Sequence, residues 1–299
     1  MNDCCSLPHN GGYDLAVVGA GSAGFSAAIT AANEGARVAL IGHGLIGGTC
    51  VNIGCVPSKT MIRAAEALHG AKVAARFAGI AGEANVADWS AVVSAKDELV
   101  STLRQKKYAD LLPAYEDVTY IEGRAQFAGD TLNIDGASIS AGKTIITTGA
   151  APALPDIEGI ANVPVLTSTT ALELTELPAS LLVIGGGYIG CELAQMFARM
   201  GTAVTLVTRS RLLPEAEPEV SGALTGYLRE EGITVRTGLS YRRVSRSKDG
   251  IALLVRIDGR DETLTATQVL AATGRTPNTR GMNLAEAGVE TDARGAVVV

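Results

Sequence analysis

Short apolar runs alternate with alanine-rich stretches along this chain, and glycine marks many of the joins. Residues 14–18 (DLAVV) read as a buried strand, 22–34 as a helix stopped by Gly35, and 37–41 (RVALI) as a second strand. That strand–turn–helix–strand order is the unit from which parallel sheets are built. Helices are predicted over 58–69 and 90–112, and strands near 118–121, 131–134 and 143–147. The unit then recurs, with a strand at 181–184 (LLVI), a glycine turn, a helix over 192–200 closed by Gly201, and a strand at 203–207 (AVTLV). Residues 241–270 alternate in the manner of antiparallel strands. The two glycine clusters begin at 19 and 185, a separation too long for a solenoid repeat and suited to two related domains. Residues 150–180, with Pro152, Pro155, Pro164 and Pro178, read as the connection. The fold class is therefore α/β, with two Rossmann-like dinucleotide-binding domains.

Composition narrows the function. The net charge is −6 and aromatic residues make up 4% of the chain. Neither suits a non-specific nucleic-acid binder or a protein held on an anionic membrane. The 35 glycines do not recur at every third position, which excludes collagen. Residues 15–32 carry no charge and have the length of a short membrane span, but Gly19, Gly21 and Gly24 interrupt them and no basic segment precedes them. Five cysteines at uneven spacing do not form a secreted disulfide framework, so a cytoplasmic protein is expected.

Gly19-x-Gly21-x-x-Gly24 follows a strand and opens a helix. The first glycine permits a tight turn, the second lets the backbone approach a pyrophosphate, and the third lets helix and strand pack closely. The helix N-terminus then offers N–H groups and partial positive charge to phosphate. One departure stands out. The second strand ends Ile41-Gly42-His43, without the acid that normally binds the adenosine ribose, so backbone or other contacts must hold it. The second fingerprint is Gly185-x-Gly187-x-x-Gly190, and its following strand runs into Thr208-Arg209-Ser210-Arg211. An arginine suits a 2′-phosphate and so favours NADPH over NADH. The same two arginines also read as solvated surface charges.

Between the fingerprints lies Gly47-Gly48-Thr49-Cys50-Val51-Asn52-Ile53-Gly54-Cys55-Val56-Pro57-Ser58-Lys59. A CxxxxC pair reads as two buried cysteines, as half of a zinc site, or as a redox disulfide. No other Cys/His cluster supplies the remaining zinc ligands. A helix starting after Pro57, together with Lys59, is expected to lower a thiol pKa from about 8.5. Cys4 and Cys5 form an adjacent pair in an N-terminal tail, read either as incidental thiols or as a mobile metal trap. Cys191 reads as a small core residue.

Two dinucleotide fingerprints flanking GGTCVNIGCVPSK, with Thr147-Thr148-Gly149-Ala150, with Ala272-Thr273-Gly274-Arg275-Thr276-Pro277-Asn278, and with Glu192 in GYIGCELA, resemble the pyridine nucleotide–disulfide oxidoreductase family. The segments GHGLIGGTCVNIGCVPSKTMIRAAE, LTSTTALEL and ATGRTPNT are most similar to its mercury(II)-reducing branch. The arginines after the second fingerprint agree with that branch better than with NAD-dependent dihydrolipoamide dehydrogenases. A non-catalytic nucleotide- and thiol-binding module is the reading from another class.

The resemblance implies a redox disulfide between Cys50 and Cys55, with Cys55 against the flavin and Cys50 as the exchange thiol. It implies FAD held by Gly19, Ala20, Gly21, Ser22, Gly24, Gly48, Thr49, Lys59, Ala125, Thr148, Gly149, Gly274 and Arg275. It implies NADPH on Gly185, Gly187, Tyr188, Ile189, Gly190, Glu192, Arg209 and Arg211. Lys59 and Glu192 match an ion pair beside the flavin, and Tyr188 matches a residue gating the nicotinamide pocket. Hg(II) on Cys50 and Cys55 would be the substrate, with Cys4 and Cys5 as further candidate ligands. The boundaries implied are a tail over 1–12, an FAD domain over 13–150, an NADPH domain over 151–275, and the start of a returning FAD-domain segment over 276–299. A C-terminal dimerisation domain is expected to be missing, so this chain is expected to be a fragment of a homodimeric enzyme, with little turnover of its own.

Overall fold

The computed structural model describes residues 12–299; Cys4, Cys5 and most of the expected tail lie outside them. The chain begins with β1 (Tyr13–Val18), α1 (Ser22–Asn33), β2 (Val38–Gly42), α2 (Gly48–Asn52), α3 (Cys55–Lys72) and α4 (Trp89–Arg104). Five strands follow: β3 (Val118–Glu122), β4 (Ala125–Ala128), β5 (Thr131–Ile134), β6 (Ala137–Ile146) and β7 (Ala150–Pro152). Then come β8 (Val165–Leu166), α5 (Ser168–Ala171), β9 (Ser180–Ile184), α6 (Tyr188–Arg199), β10 (Ala203–Val207) and α7 (Pro218–Glu230). The remaining strands are β11 (Thr234–Arg236), β12 (Ser240–Ser247), β13 (Gly250–Ile257), β14 (Arg260–Ala266), β15 (Gln268–Ala271) and β16 (Arg275–Pro277). No helix among them is long and apolar enough to cross a membrane.

Two compact units result. The first contains the described residues up to Val56, Leu99–Ala151 and Thr276–Val299. Its sheet has the order β3-β2-β1-β6-β5-β4. β1 runs parallel to both neighbours, with Val17 opposite Leu40 and Ile145. Side chains alternate between the faces of a strand. Val17 and Leu40 therefore pack with Phe25 and Ala28 of α1, while Val18, Ala39 and Ile41 pack with Phe127, Leu132, Met282 and Leu284. β6 is longer than the sequence suggests because its first half pairs antiparallel with β5 and its second half parallel with β1.

The second unit contains Pro57–Glu98 and Pro152–Arg275. Its parallel sheet has the order β11-β10-β9-β15-β8, and β12-β13-β14 form an antiparallel sheet. Leu181, Val183 and Leu206 face Phe197 and Leu193 of α6, while Leu182, Ile184 and Val207 face Leu253 and Val255 of β13. Residues 57–98 were expected in the first domain. They group with the second unit because Met61 and Ala65 of α3 and Trp89 and Val93 of α4 share the core of Phe197 and Leu206. The Trp89 indole N–H also donates to Leu174 O at 2.7 Å.

Three local expectations change. The helix placed at 192–200 starts at Tyr188, directly after its N-cap Gly187. The helix placed after Pro57 starts at Cys55. The single helix placed over 90–112 ends at Arg104 and passes into a π-helical turn, Gln105–Ala109, and a short 3-10 turn, Leu112–Ala114.

Candidate functional site

In the first unit the glycine turn closes on the end of β6. Gly19 has φ +124°, and a Cβ there would lie 2.3 Å from Thr147 O. A Cβ on Gly24 would lie 1.8 Å from Gly19 O, so helix and strand approach as the fingerprint requires. The Thr147 hydroxyl donates into the turn, 2.9 Å from Gly19 O and 3.1 Å from Val18 O. Gly47 N–H donates to Ala20 O at 2.9 Å, and a Cβ on Gly48 would lie 2.6 Å from Gly21 Cα. The cysteine loop is thereby fastened to the fingerprint through its glycines. Ser22 Oγ lies 3.0 Å from the Tyr108 hydroxyl. Gly149 O and Thr148 O accept from the backbone N–H and side-chain amide of Asn278, each at 2.9 Å. Ala125 is buried at the start of β4, and Gly274 and Arg275 lead into β16.

Cys50 sits in α2 and Cys55 opens α3; both are exposed thiols. They are hydrogen-bonded to each other. That bond, followed by burial and the charge of Cys55, pushes the Cys50 thiol above its ordinary value, against the Cys55 backbone N–H and Lys107. The expected lowering by Lys59 is not what acts on Cys50. The cation whose charge favours its thiolate is Lys107, in the turn after α4. Asn52 holds the loop in shape, its amide donating to Ile46 O and Gly48 O at 2.9 Å while its carbonyl accepts from Arg104 at 3.0 Å. Gly54 closes it from the other side, since a Cβ there would lie 2.9 Å from Thr49 O. Arg104, Lys107 and Tyr108 carry no local motif, and only their position at the end of α4 and in the turn after it brings them to residues 22–52.

The second unit repeats the turn. A Cβ on Gly190 would lie 1.9 Å from Gly185 O, whereas one on Gly187 would meet nothing within 4 Å. α6 and α1 are capped by Gly187 and Gly21, and neither helix has a side-chain cap or a first-turn acid among the described residues. No side chain of the first turn thus competes for their N–H groups, and the backbone beside Gly187 stands open. These residues fit the pyrophosphate of a dinucleotide at both turns.

Lys59 Nζ lies 2.5 Å from Glu192 Oε2, forming the expected ion pair. Tyr188 is 68% exposed at the start of α6, with Ile189 beside it. The two arginines differ. Arg211 turns back to donate to Pro214 O at 2.9 Å and Ala216 O at 2.7 Å, whereas Arg209 is exposed. Tyr241, which the sequence did not single out, donates to Val207 O at 3.2 Å; burial pushes its hydroxyl up to about 12 and the charge of Arg209 acts the other way. Burial likewise pushes the Cys191 thiol to about 11, consistent with a core residue. Among the described residues, no group of three His, Cys, Asp or Glu side chains could hold a metal ion.

Residues 13–299 match the family model described as pyridine nucleotide-disulphide oxidoreductase. The chain is 48% identical over 295 residues to a mercuric reductase of Streptomyces lividans, covering 96% of this chain and 62% of that protein. It is 46% identical to a mercuric reductase of Staphylococcus aureus, covering 97% and 53%. Among solved structures, the Cu(II) complex of the HOCl-induced flavoprotein disulfide reductase RclA from Escherichia coli superposes with a TM-score of 0.83 at 32% identity, covering 97% of this chain and 63% of that one. The chain thus spans between half and two thirds of the length of these relatives.

Proposed function

This chain is a member of the pyridine nucleotide-disulphide oxidoreductase family, and from that premise we propose that it is the nucleotide- and thiol-bearing part of an NADPH-dependent mercuric reductase. The observation that carries the proposal is the hydrogen-bonded, exposed Cys50–Cys55 pair on a loop fastened to the first glycine turn. The relatives' names supply the metal. Two close thiolates are soft ligands, and Hg(II) is a soft cation that two sulfurs suit. FAD, when bound at the first turn, supplies a two-electron relay between the reduced pyridine nucleotide and the thiol pair.

The chain's own residues have separate tasks in this reading. Gly21 and the first N–H groups of α1 take the FAD pyrophosphate, with Gly48 and Thr49 alongside. Gly187 and the start of α6 take that of NADPH, and Arg209 reads its 2′-phosphate. Tyr188, being exposed beside Gly187, covers the nicotinamide end until the nucleotide displaces it. Lys59 and Glu192 hold each other in position. Cys50 and Cys55 each lose a proton to bind Hg(II); two electrons convert the metal to Hg(0) and return both sulfurs as thiolates. The full-length enzyme works in the cytoplasm as a homodimer.

Titration of the chain with Hg(II) in competition with a monothiol tests the metal, with two titratable thiols expected to disappear per Hg(II). NADPH oxidation by the full-length protein tests the reaction. It is expected to be stimulated by Hg(II) and abolished in Cys50→Ser and Cys55→Ser. Oxidation that ignores Hg(II), or that requires NAD and lipoamide, would overturn the proposal.

A further inference from the structure

β2 ends at Gly42, where a dinucleotide-binding unit ordinarily carries the acid that takes the adenosine ribose hydroxyls. The backbone does not require glycine there. Gly42 lies outside the left-handed region and pairs in regular parallel register with Glu122. What excludes a side chain is space. A Cβ on Gly42 would lie 2.6 Å from Ala20 Cβ, 2.8 Å from the Tyr120 hydroxyl and 2.9 Å from Tyr120 Cε2. Tyr120 of β3 therefore fills the volume in which an acid of β2 would begin. Ala20, which meets the same point, belongs to the glycine turn itself, so the hydroxyl stands beside that turn. Glu122 lies two residues after Tyr120 on the same strand. It therefore points to the same face, and its side chain is exposed.

We propose that the adenosine ribose of FAD is held from β3, by the Tyr120 hydroxyl and the Glu122 carboxylate, in place of the acid missing from β2. The chemistry matches a vicinal diol. The carboxylate accepts from ribose hydroxyls, and the phenol both donates and accepts. Tyr120 is neutral at physiological pH, as an ordinary phenol is, and burial and the charge of Glu122 push it further in that direction. The proposal rests on the assignment of FAD to the first turn.

The test is titration of the flavin-free chain with FAD and with FMN, followed by flavin fluorescence. FMN lacks the whole adenosine monophosphate part and so reports the isoalloxazine, ribityl and first-phosphate contacts but not these. Tyr120→Phe and Glu122→Gln are each expected to weaken FAD about tenfold, the scale of one lost hydrogen bond to a charged or polar partner, and to leave FMN unchanged. Gly42→Glu combined with Ala20→Gly and Tyr120→Val, which restores the acid and removes both side chains that would meet its Cβ, is expected to recover FAD affinity relative to Tyr120→Phe. Unchanged FAD affinity in both single variants overturns the ribose contacts alone. Equal loss of FAD and FMN, with a lowered thermal midpoint, also counts against them, because the effect is then a damaged turn. A chain that binds neither flavin overturns the assignment of FAD itself. Mercury plays no part in the readout.

Discussion

At the scale of single residues, the protonation of the thiol pair is set by the pair itself. Two close thiols lose their protons in two steps, and the second must leave beside the negative charge of the first. Cys50 lies on the raised side, because its hydrogen bond with Cys55 and the charge of that neighbour oppose its thiolate. Cys55→Ala removes both influences, so the pH midpoint for alkylation of Cys50 should move down. Lys107→Met removes a cation that favours the thiolate, so the midpoint should move up. Mass-spectrometric quantitation of iodoacetamide labelling against pH measures both, and shifts of the same sign would contradict this account. The two arginines after β10 separate in the same way. Arg209→Ala should weaken NADPH about tenfold or more and leave NADH unchanged, since it removes a charge-assisted contact to the 2′-phosphate. Arg211→Ala should weaken both nucleotides by a similar few-fold, because its guanidinium holds Pro214 and Ala216. Calorimetric titration with the two nucleotides distinguishes them.

At the scale of elements, what was legible in the sequence is what short-range chemistry dictates. The β1–α1–β2 and β9–α6–β10 units were readable because glycine spacing, apolar runs and helix stops are local features. Cys50, Cys55, Lys59 and Glu192 were readable because they lie on motifs. α7 was not, since Pro218–Glu230 has only two buried residues and carries Gly222 and Gly226 in its interior, which weakens the helical pattern although Pro218 and Glu219 mark its start. Lys107, Tyr108 and Tyr120 escaped because they act through packing partners far away in the chain. The Gly42 departure was visible, but the side chain that fills its place was visible only in the fold. The grouping of α3 and α4 was hidden for a similar reason, since it is decided by tertiary burial around α6. That burial has a measurable consequence. Phe197 is fully buried, with Trp89 6.3 Å from it between ring centroids. Phe197→Ala should cost about 3–5 kcal/mol, the usual range for emptying an aromatic from a core. Urea unfolding followed by Trp89 fluorescence, from the single tryptophan of the chain, reads this cost directly.

At the scale of the whole molecule, the chain enters the first unit three times and the second twice. Each unit has its own sheet, its own core clusters and its own glycine turn. A ligand stabilises the folded form of whatever it binds, by about 2.7 kcal/mol at a hundred times its dissociation constant. Amide hydrogen exchange then shows where that stabilisation falls, because local and subglobal opening report on cooperative units. Saturating FAD should slow exchange in β1, β2, α1 and β6. It should also slow exchange in the segment around Met282 and Leu284, which shares their core although it lies at the other end of the sequence. Saturating NADPH should slow exchange in β9, α6 and β10, and in residues 57–98 with them, since Met61, Ala65, Trp89 and Val93 are packed into that core. Residues 57–98 are the discriminating segment, because the sequence assigns them to the FAD domain and the packing assigns them to the second unit. Protection of 61–65 and 89–93 by NADPH supports the packing assignment; protection of those residues by FAD alone would return them to the first unit.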